Sequence, residues 1–105
     1  MPLRAMTNQM MIHRLYADPS LTSHLESKQA EYLLSWAEGE VEEYSSETEF
    51  EKFCDELRLL NHYISQGGRF NQLFARLRNG TLNERSFYPI QGEQYRYQSS
   101  FGLIY

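Results

Sequence analysis

Cysteine is almost absent from this 105-residue sequence, which contains Cys54 and no other. A single thiol excludes an internal disulfide, so packing and hydrogen bonds must hold the fold together. Cys54 lies on the apolar stripe of a predicted helix, where a thiol usually behaves as a small hydrophobic side chain. A nucleophilic cysteine needs an exposed, electropositive setting, and the neighbouring residues indicate none.

Long apolar runs are also missing. No stretch approaches the roughly 20 consecutive apolar residues that a membrane-spanning helix needs, and the N-terminal residues lack the basic region and apolar core of a signal peptide. From these two absences we expect a cytoplasmic protein that makes no membrane interaction.

The motifs that commonly carry catalysis or bind metals do not occur. The sequence has no glycine-rich phosphate loop, no nucleophile elbow, and no Glu-x-x-His pair of the kind found in di-iron bundles. None of its three histidines is spaced from another as two metal ligands on one helix would be. The sequence therefore predicts a non-catalytic protein with no cofactor and no metal.

Apolar residues are present in helical patterns. They make up 41% of the sequence, and aromatic residues make up 14%, which favours one folded domain over residues 1–105. The strongest pattern spans residues 27–64, where two stripes at helical spacing are separated by a short polar turn. A connection this short predicts an antiparallel helical hairpin. The stripes are Ala30, Leu33, Leu34, Ala37, Val41 and Tyr44, widened by Tyr32 and Trp36, and then Phe50, Phe53, Cys54, Leu57, Leu60 and Ile64.

Capping residues mark where these helices begin and end. Ser46 and Glu49 form a capping-box pattern before the second helix. Gly67 and Gly68 predict its end, because glycine readily adopts the left-handed conformation of a helix C-terminus. Upstream, Asp18 and Pro19 suit the start of a helix, and two interpretations stay open there: one helix over residues 19–44, or a break near 26–27 with Ser27 as a new cap.

Two shorter amphipathic segments flank the predicted hairpin. Residues 7–17 present Met10, Met11 and Leu15, which we expect to pack against the core. Residues 69–80 present Phe70, Leu73, Phe74 and Leu77 and stop at Asn79-Gly80. Together these patterns predict an all-α bundle of three to four helices, with a helical core over residues 7–85. Asn61 falls on an apolar stripe, so its amide must find hydrogen-bond partners in the core or at an interface.

Charge is distributed unevenly along the chain. Residues 1–66 contain five Lys or Arg and twelve Asp or Glu, for a net charge of −7, whereas residues 67–105 contain five Arg and two Glu, for a net charge of +3. Several glutamates fall late in the first hairpin helix, where the helix dipole disfavours them. This position indicates a basic group nearby, supplied by the C-terminal arginines of the same chain or of a second copy.

The last twenty residues differ in character. Residues 86–105 are rich in aromatic side chains: Phe87, Tyr88, Tyr95, Tyr97, Phe101 and Tyr105. Residues 94–98 alternate with the period of a strand, which is compatible with a β-hairpin, although Pro89 would confine that strand to an edge. The alternative is an irregular segment that lies over the bundle.

The candidate site residues are the arginines and aromatics that follow Gly68. Such residues are typical of protein interfaces, so we expect a protein-interaction or regulatory module that associates with a protein partner or with itself. The alternative is a nucleic-acid-binding accessory protein, because arginine binds phosphate and tyrosine stacks on bases. A third interpretation of the arginines is that they pair with glutamates of the preceding helices. The candidates are Arg69, Arg76, Arg78, Arg85, Tyr88, Tyr95, Arg96, Tyr97 and Phe101.

Overall fold

The computed structural model of the protein describes residues 6–83. Within that range the chain forms four α-helices and no strand: α1 (Asn8–Ala17), α2 (Ser27–Glu40), α3 (Glu47–Ser65) and α4 (Phe70–Asn79). Two short 3₁₀ turns, Pro19–Leu21 and Val41–Glu43, flank α2. The all-α class is therefore confirmed. The two alternatives for residues 86–105 concern a segment outside the described residues.

The chain breaks between α1 and α2, which decides between the two interpretations of residues 19–44. The Asp18 carboxylate accepts a hydrogen bond from the Ser20 N–H at 3.0 Å, and Pro19 begins the 3₁₀ turn. The N-cap of α2 is Glu26 rather than the predicted Ser27, and its N–H donates to the Gln29 side chain at 3.1 Å. Of the two alternatives, the break near residues 26–27 is thus the one that the structure shows, with its cap one residue earlier than Ser27.

The predicted cap of α3 is confirmed as well. The Ser46 hydroxyl accepts a hydrogen bond from the Glu49 N–H at 3.2 Å. The Glu49 carboxylate in turn accepts from the Ser45 N–H at 3.0 Å, one residue before the cap. α2 ends earlier than the apolar pattern indicates, because Val41–Glu43 form a tighter 3₁₀ turn with Val41 buried.

Two contacts between α2 and α3 show that these helices are antiparallel. Near the end of α2, the Trp36 ring lies 5.7 Å from the ring of Phe53 near the start of α3. Just before α2 begins, the His24 N–H donates to Asn61, far along α3, at 2.8 Å. The start of one helix therefore meets the far part of the other, as the short connection predicted.

The core combines the predicted stripes of all four helices. In α1, Met11 and Leu15 are buried, but Met10 is 45% exposed. Our expectation that Met10 packs in the core is therefore wrong: it lies next to Met11, and α1 turns that position toward solvent. Tyr63, which does not belong to the predicted stripe, is buried, and its hydroxyl donates to the Asn83 carbonyl at 2.8 Å.

Candidate interaction surface

The candidate arginines that the structure describes all belong to α4. Arg69 is the exposed N-cap residue, Arg76 is half-buried, and Arg78 is exposed in the last turn. With about 3.6 residues per turn, Arg69 and Arg76 fall on one flank of the buried stripe and Arg78 falls on the other. The helix therefore presents basic groups on both sides of its apolar face.

These arginines have no carboxylate partner among residues 6–83. Every ion pair found there is made by Arg14, with Glu47 and Glu51, or by Arg58, with Asp18 and Asp55. The interpretation in which the α4 arginines pair with glutamates of the preceding helices is therefore not what this part of the chain shows. Within residues 6–83, no carboxylate therefore neutralises the charge of these three arginines.

Arg78 contacts one end of a continuous row of aromatic side chains. Its guanidinium carbon lies 4.8 Å from the centroid of the Phe74 ring, a cation–π distance. The Phe74 ring lies 5.3 Å from Tyr32 and 5.3 Å from Trp36, both in edge-to-face geometry. We call the following set the aromatic row: Tyr32, Trp36, Tyr44, Phe53 and Phe74.

The row continues through Phe53 of α3 to Tyr44, which follows the 3₁₀ turn after α2. Phe53 lies 5.7 Å from Trp36 and 5.4 Å from Tyr44, measured between ring centroids. Trp36 is therefore the middle member, in contact with Phe74 on one side and Phe53 on the other. Arg78 and Tyr44 occupy opposite ends of the chain of contacts.

The outer surface of the aromatic row is formed by residues of α2 and the turn after it. Tyr32 is 59% exposed, Trp36 and Tyr44 are half-buried, and Phe53 and Phe74 are buried beneath them. The sequence placed Tyr32 on the buried face of its helix, and the exposure of its ring corrects that. Tyrosine, tryptophan and arginine side by side on a surface are enriched at protein interfaces.

The Tyr44 end of the row is acidic. Burial raises the pKa of the Tyr44 hydroxyl, and the nearby charges of Glu40, Glu56, Glu49 and Glu43 raise it further. Within residues 6–83, none of these four carboxylates has a lysine or arginine within ion-pair distance. The aromatic row thus has a basic end at Arg78 and an acidic end at Tyr44.

The other candidate residues fall outside the described part of the chain: Arg85, Tyr88, Tyr95, Arg96, Tyr97 and Phe101. The sequence did not single out Tyr32, Trp36 and Glu40 as site residues. Their spacing of four residues was the available signal, because it sets all three along one flank of α2. The spacing could not show that Tyr32 on this flank would stay exposed while it contacts Phe74 of α4.

The thiol of Cys54 is shielded from solvent. Cys54 is buried, and it lines a cleft together with Phe50, Arg14 and Asp18. Desolvation raises the pKa of its thiol to about 11. The thiolate is the reactive form, so burial and the raised pKa both disfavour reaction.

We therefore expect Cys54 to react with a thiol reagent at pH 8 at least about a hundredfold more slowly in the folded protein than in urea, because reaction requires local opening. Timed labelling followed by mass spectrometry measures both rates. Comparable rates would contradict the buried setting.

Neither a metal centre nor a membrane span emerges from residues 6–83. No group of three or more potential metal ligands lies together there, and no helix in that range is both long and apolar enough to cross a bilayer. Comparisons of the chain with known protein families, with curated proteins and with solved structures found no match. The interpretation of the surface therefore depends on its own residues.

Proposed function

We propose that this chain is a non-catalytic helical interaction module that associates with itself. The observation that carries the proposal is that Phe74 contacts both the exposed Tyr32 ring and the guanidinium of Arg78, an arginine with no carboxylate partner in the described part of the chain. Exposed tyrosine and arginine side chains that share a contact with one aromatic ring are of the types enriched at protein interfaces.

The energetics of such a surface favour protein association. Tyrosine and tryptophan bury a large area at a small cost in side-chain entropy, because each has only two rotatable side-chain bonds. Tyr32 and Trp36 are held further by edge-to-face contacts with Phe74, so little ordering is left for binding. Preorganised aromatic side chains near an arginine are typical of the few residues that dominate binding energy.

A nucleic-acid-binding accessory protein is the second candidate. It is favoured by three arginines that have no carboxylate partner within residues 6–83, namely Arg69, Arg76 and Arg78. The sequence adds Arg85 and Arg96 with two tyrosines of the C-terminal segment, Tyr95 and Tyr97. The acidic end of the same surface disfavours it, because glutamates around Tyr44 repel a phosphate backbone. We therefore rank self-association first.

Sedimentation equilibrium of the full chain tests the proposal. We expect a monomer–dimer equilibrium, and we expect Tyr32→Ser to weaken it at least about tenfold, since a two-fold interface loses the ring twice. Tyr16→Ser is the matched control: Tyr16 is 55% exposed on α1 and its hydroxyl donates to Glu38, away from the aromatic row. Equal weakening by both variants, or a monomer at all concentrations, would contradict the proposal.

The same preparations distinguish the alternatives. A variant of the 105-residue chain tests the predicted contribution of the C-terminal segment to association. Four aromatic residues are changed to serine in it: Tyr88, Tyr95, Tyr97 and Phe101. Weaker association than that of the wild type would support the contribution. Binding to short single- and double-stranded oligonucleotides at low salt, with affinity that falls steeply as salt rises, would favour the nucleic-acid candidate instead. Absence of such binding removes it.

A further inference from the structure

We infer that two copies of this chain pack antiparallel across the aromatic row, so that Arg78 of each copy meets Glu40 of the other. This inference rests on the proposed self-association and adds the surface, the orientation and the charged contacts. Three observations support it, and each concerns residues of the described part of the chain.

The first observation is the charge polarity of the row. Arg78 lies at one end, over Phe74, and a group of glutamates surrounds Tyr44 at the other. Two copies stacked in the same direction would bring arginine against arginine and carboxylate against carboxylate. Rotation by half a turn about an axis near Trp36 instead brings each basic end onto an acidic one. A two-fold interface of this kind is self-complementary, because each contact occurs twice.

The second observation is the position of Glu40. It follows Trp36 by four residues and so continues the flank of α2 that carries Tyr32 and Trp36. It is also the last residue of α2, where the partial negative charge of the helix terminus disfavours a carboxylate. No lysine or arginine within residues 6–83 neutralises it. A cation from another molecule would therefore stabilise this carboxylate more than it would stabilise a carboxylate that already has a basic partner.

The third observation is the position of Arg78 on α4, the basic group that we infer meets Glu40. Arg78 is exposed. Within residues 6–83 its guanidinium lies over the Phe74 ring and forms no ion pair. Stacking on an aromatic face leaves the edge of a guanidinium, with its N–H donors, free to bind a carboxylate in two-pronged geometry. Arg78 is therefore both positioned by the row and able to bind a partner. The acidic end of a second copy supplies what it lacks.

Charge reversal with complementation tests this arrangement in the full chain. R78E alone and E40K alone should each weaken self-association at least about tenfold, because each places like charges together at both ends of the interface. Mixed in equal amounts, the two variants should associate to within about threefold of the wild-type affinity. In that mixed dimer the introduced carboxylate faces the introduced lysine, and the two native residues face each other at the other end.

Matched reversals off the row provide the control. R69E changes the same charge on the opposite flank of α4, and E31K changes the same charge on an exposed position of α2 away from Trp36. Both should associate like the wild type, and their mixture should show no gain. Circular dichroism of every variant confirms that the helices remain folded.

The outcomes separate the arrangement from the proposed function. If the wild type dimerises but R78E and E40K do not weaken it, or their mixture does not restore it, the arrangement is wrong while self-association stands; the row is then covered by another occupant, such as residues 84–105 or a different protein. If the wild type stays monomeric at the highest concentration measured, both proposals fail. Weakening by each variant and recovery in the mixture support the arrangement.

Discussion

Replacing Asn61 with alanine should lower the free energy of unfolding by about 3 kcal/mol, although the side chain is uncharged. Asn61 is only 5% exposed, and both ends of its amide are used. Its oxygen accepts a hydrogen bond from the His24 N–H at 2.8 Å, while its nitrogen donates to the Ser20 carbonyl at 3.1 Å and to the Ser23 hydroxyl at 3.0 Å. Alanine removes all three bonds and leaves partly buried groups unpaired.

Urea unfolding followed by circular dichroism measures this effect. Asn71→Ala is the matched control, because Asn71 is exposed on α4 and its side chain forms no hydrogen bond to another residue in the range 6–83. That change should be neutral or slightly stabilising, since alanine is the better helix former. If Asn61→Ala stays within about 0.5 kcal/mol of the wild type, the three hydrogen bonds contribute far less than their burial indicates.

The loss is expected to be large because Asn61 holds the whole connection between α1 and α2 against α3. Arg58 also reaches this connection, donating to the Asp18 carboxylate and to the Ser20 hydroxyl, both at 3.0 Å. Its side chain is 36% exposed, however, and exposed ion pairs contribute about 1 kcal/mol or less. The buried neutral amide therefore outweighs the charged contact beside it. Its bond to His24 lies two residues before Glu26, the N-cap of α2, and α2 carries Tyr32 and Trp36 of the aromatic row.

Much of this fold could be predicted from the sequence because its signals are local. Ser46 and Glu49 act within one helical turn, Asp18 and Pro19 within one 3₁₀ turn, and Gly67-Gly68 within the last turn of α3. Such signals depend on neighbours in sequence and hold wherever the helix packs. The need for partners at Asn61 was predictable for a similar reason, since a buried amide is almost always hydrogen-bonded.

The candidate site was less predictable because it depends on how the helices meet. The sequence singled out Arg69, Arg76 and Arg78 as candidates. Whether they pair with glutamates depends on distances between helices, which no pattern within one helix specifies. Tyr32 looked like a core residue since it borders the buried stripe of α2. It is exposed, and its ring contacts Phe74 of α4, whereas the Trp36 ring contacts Phe53 of α3 as well as Phe74.

The close approach of α4 to the end of α3 leads to the second large effect. Gly68→Ala should destabilise the protein by about 2–3 kcal/mol, because a Cβ atom there has no room and overpacking forces the backbone to shift. It would lie 2.8 Å from the Tyr63 carbonyl oxygen and 2.7 Å from the Leu73 side chain. The side chain can rotate away, but the carbonyl cannot, since it accepts the Gly68 N–H at 2.8 Å in the bond that ends α3.

Two further glycines make this prediction specific. Gly39 lies inside α2 with nothing within 4 Å of an added Cβ, so Gly39→Ala should stabilise the protein by about 0.5–1 kcal/mol. Gly67 has equally open space but a φ of +99°, so alanine there should cost about 1 kcal/mol from backbone strain alone. The free energy of unfolding measured in urea should therefore be highest for Gly39→Ala, lower for the wild type, lower again for Gly67→Ala and lowest for Gly68→Ala. If Gly68→Ala instead matches Gly67→Ala, the backbone after α3 shifts away from the Tyr63 carbonyl at little cost, and the close contact at Gly68 does not limit stability.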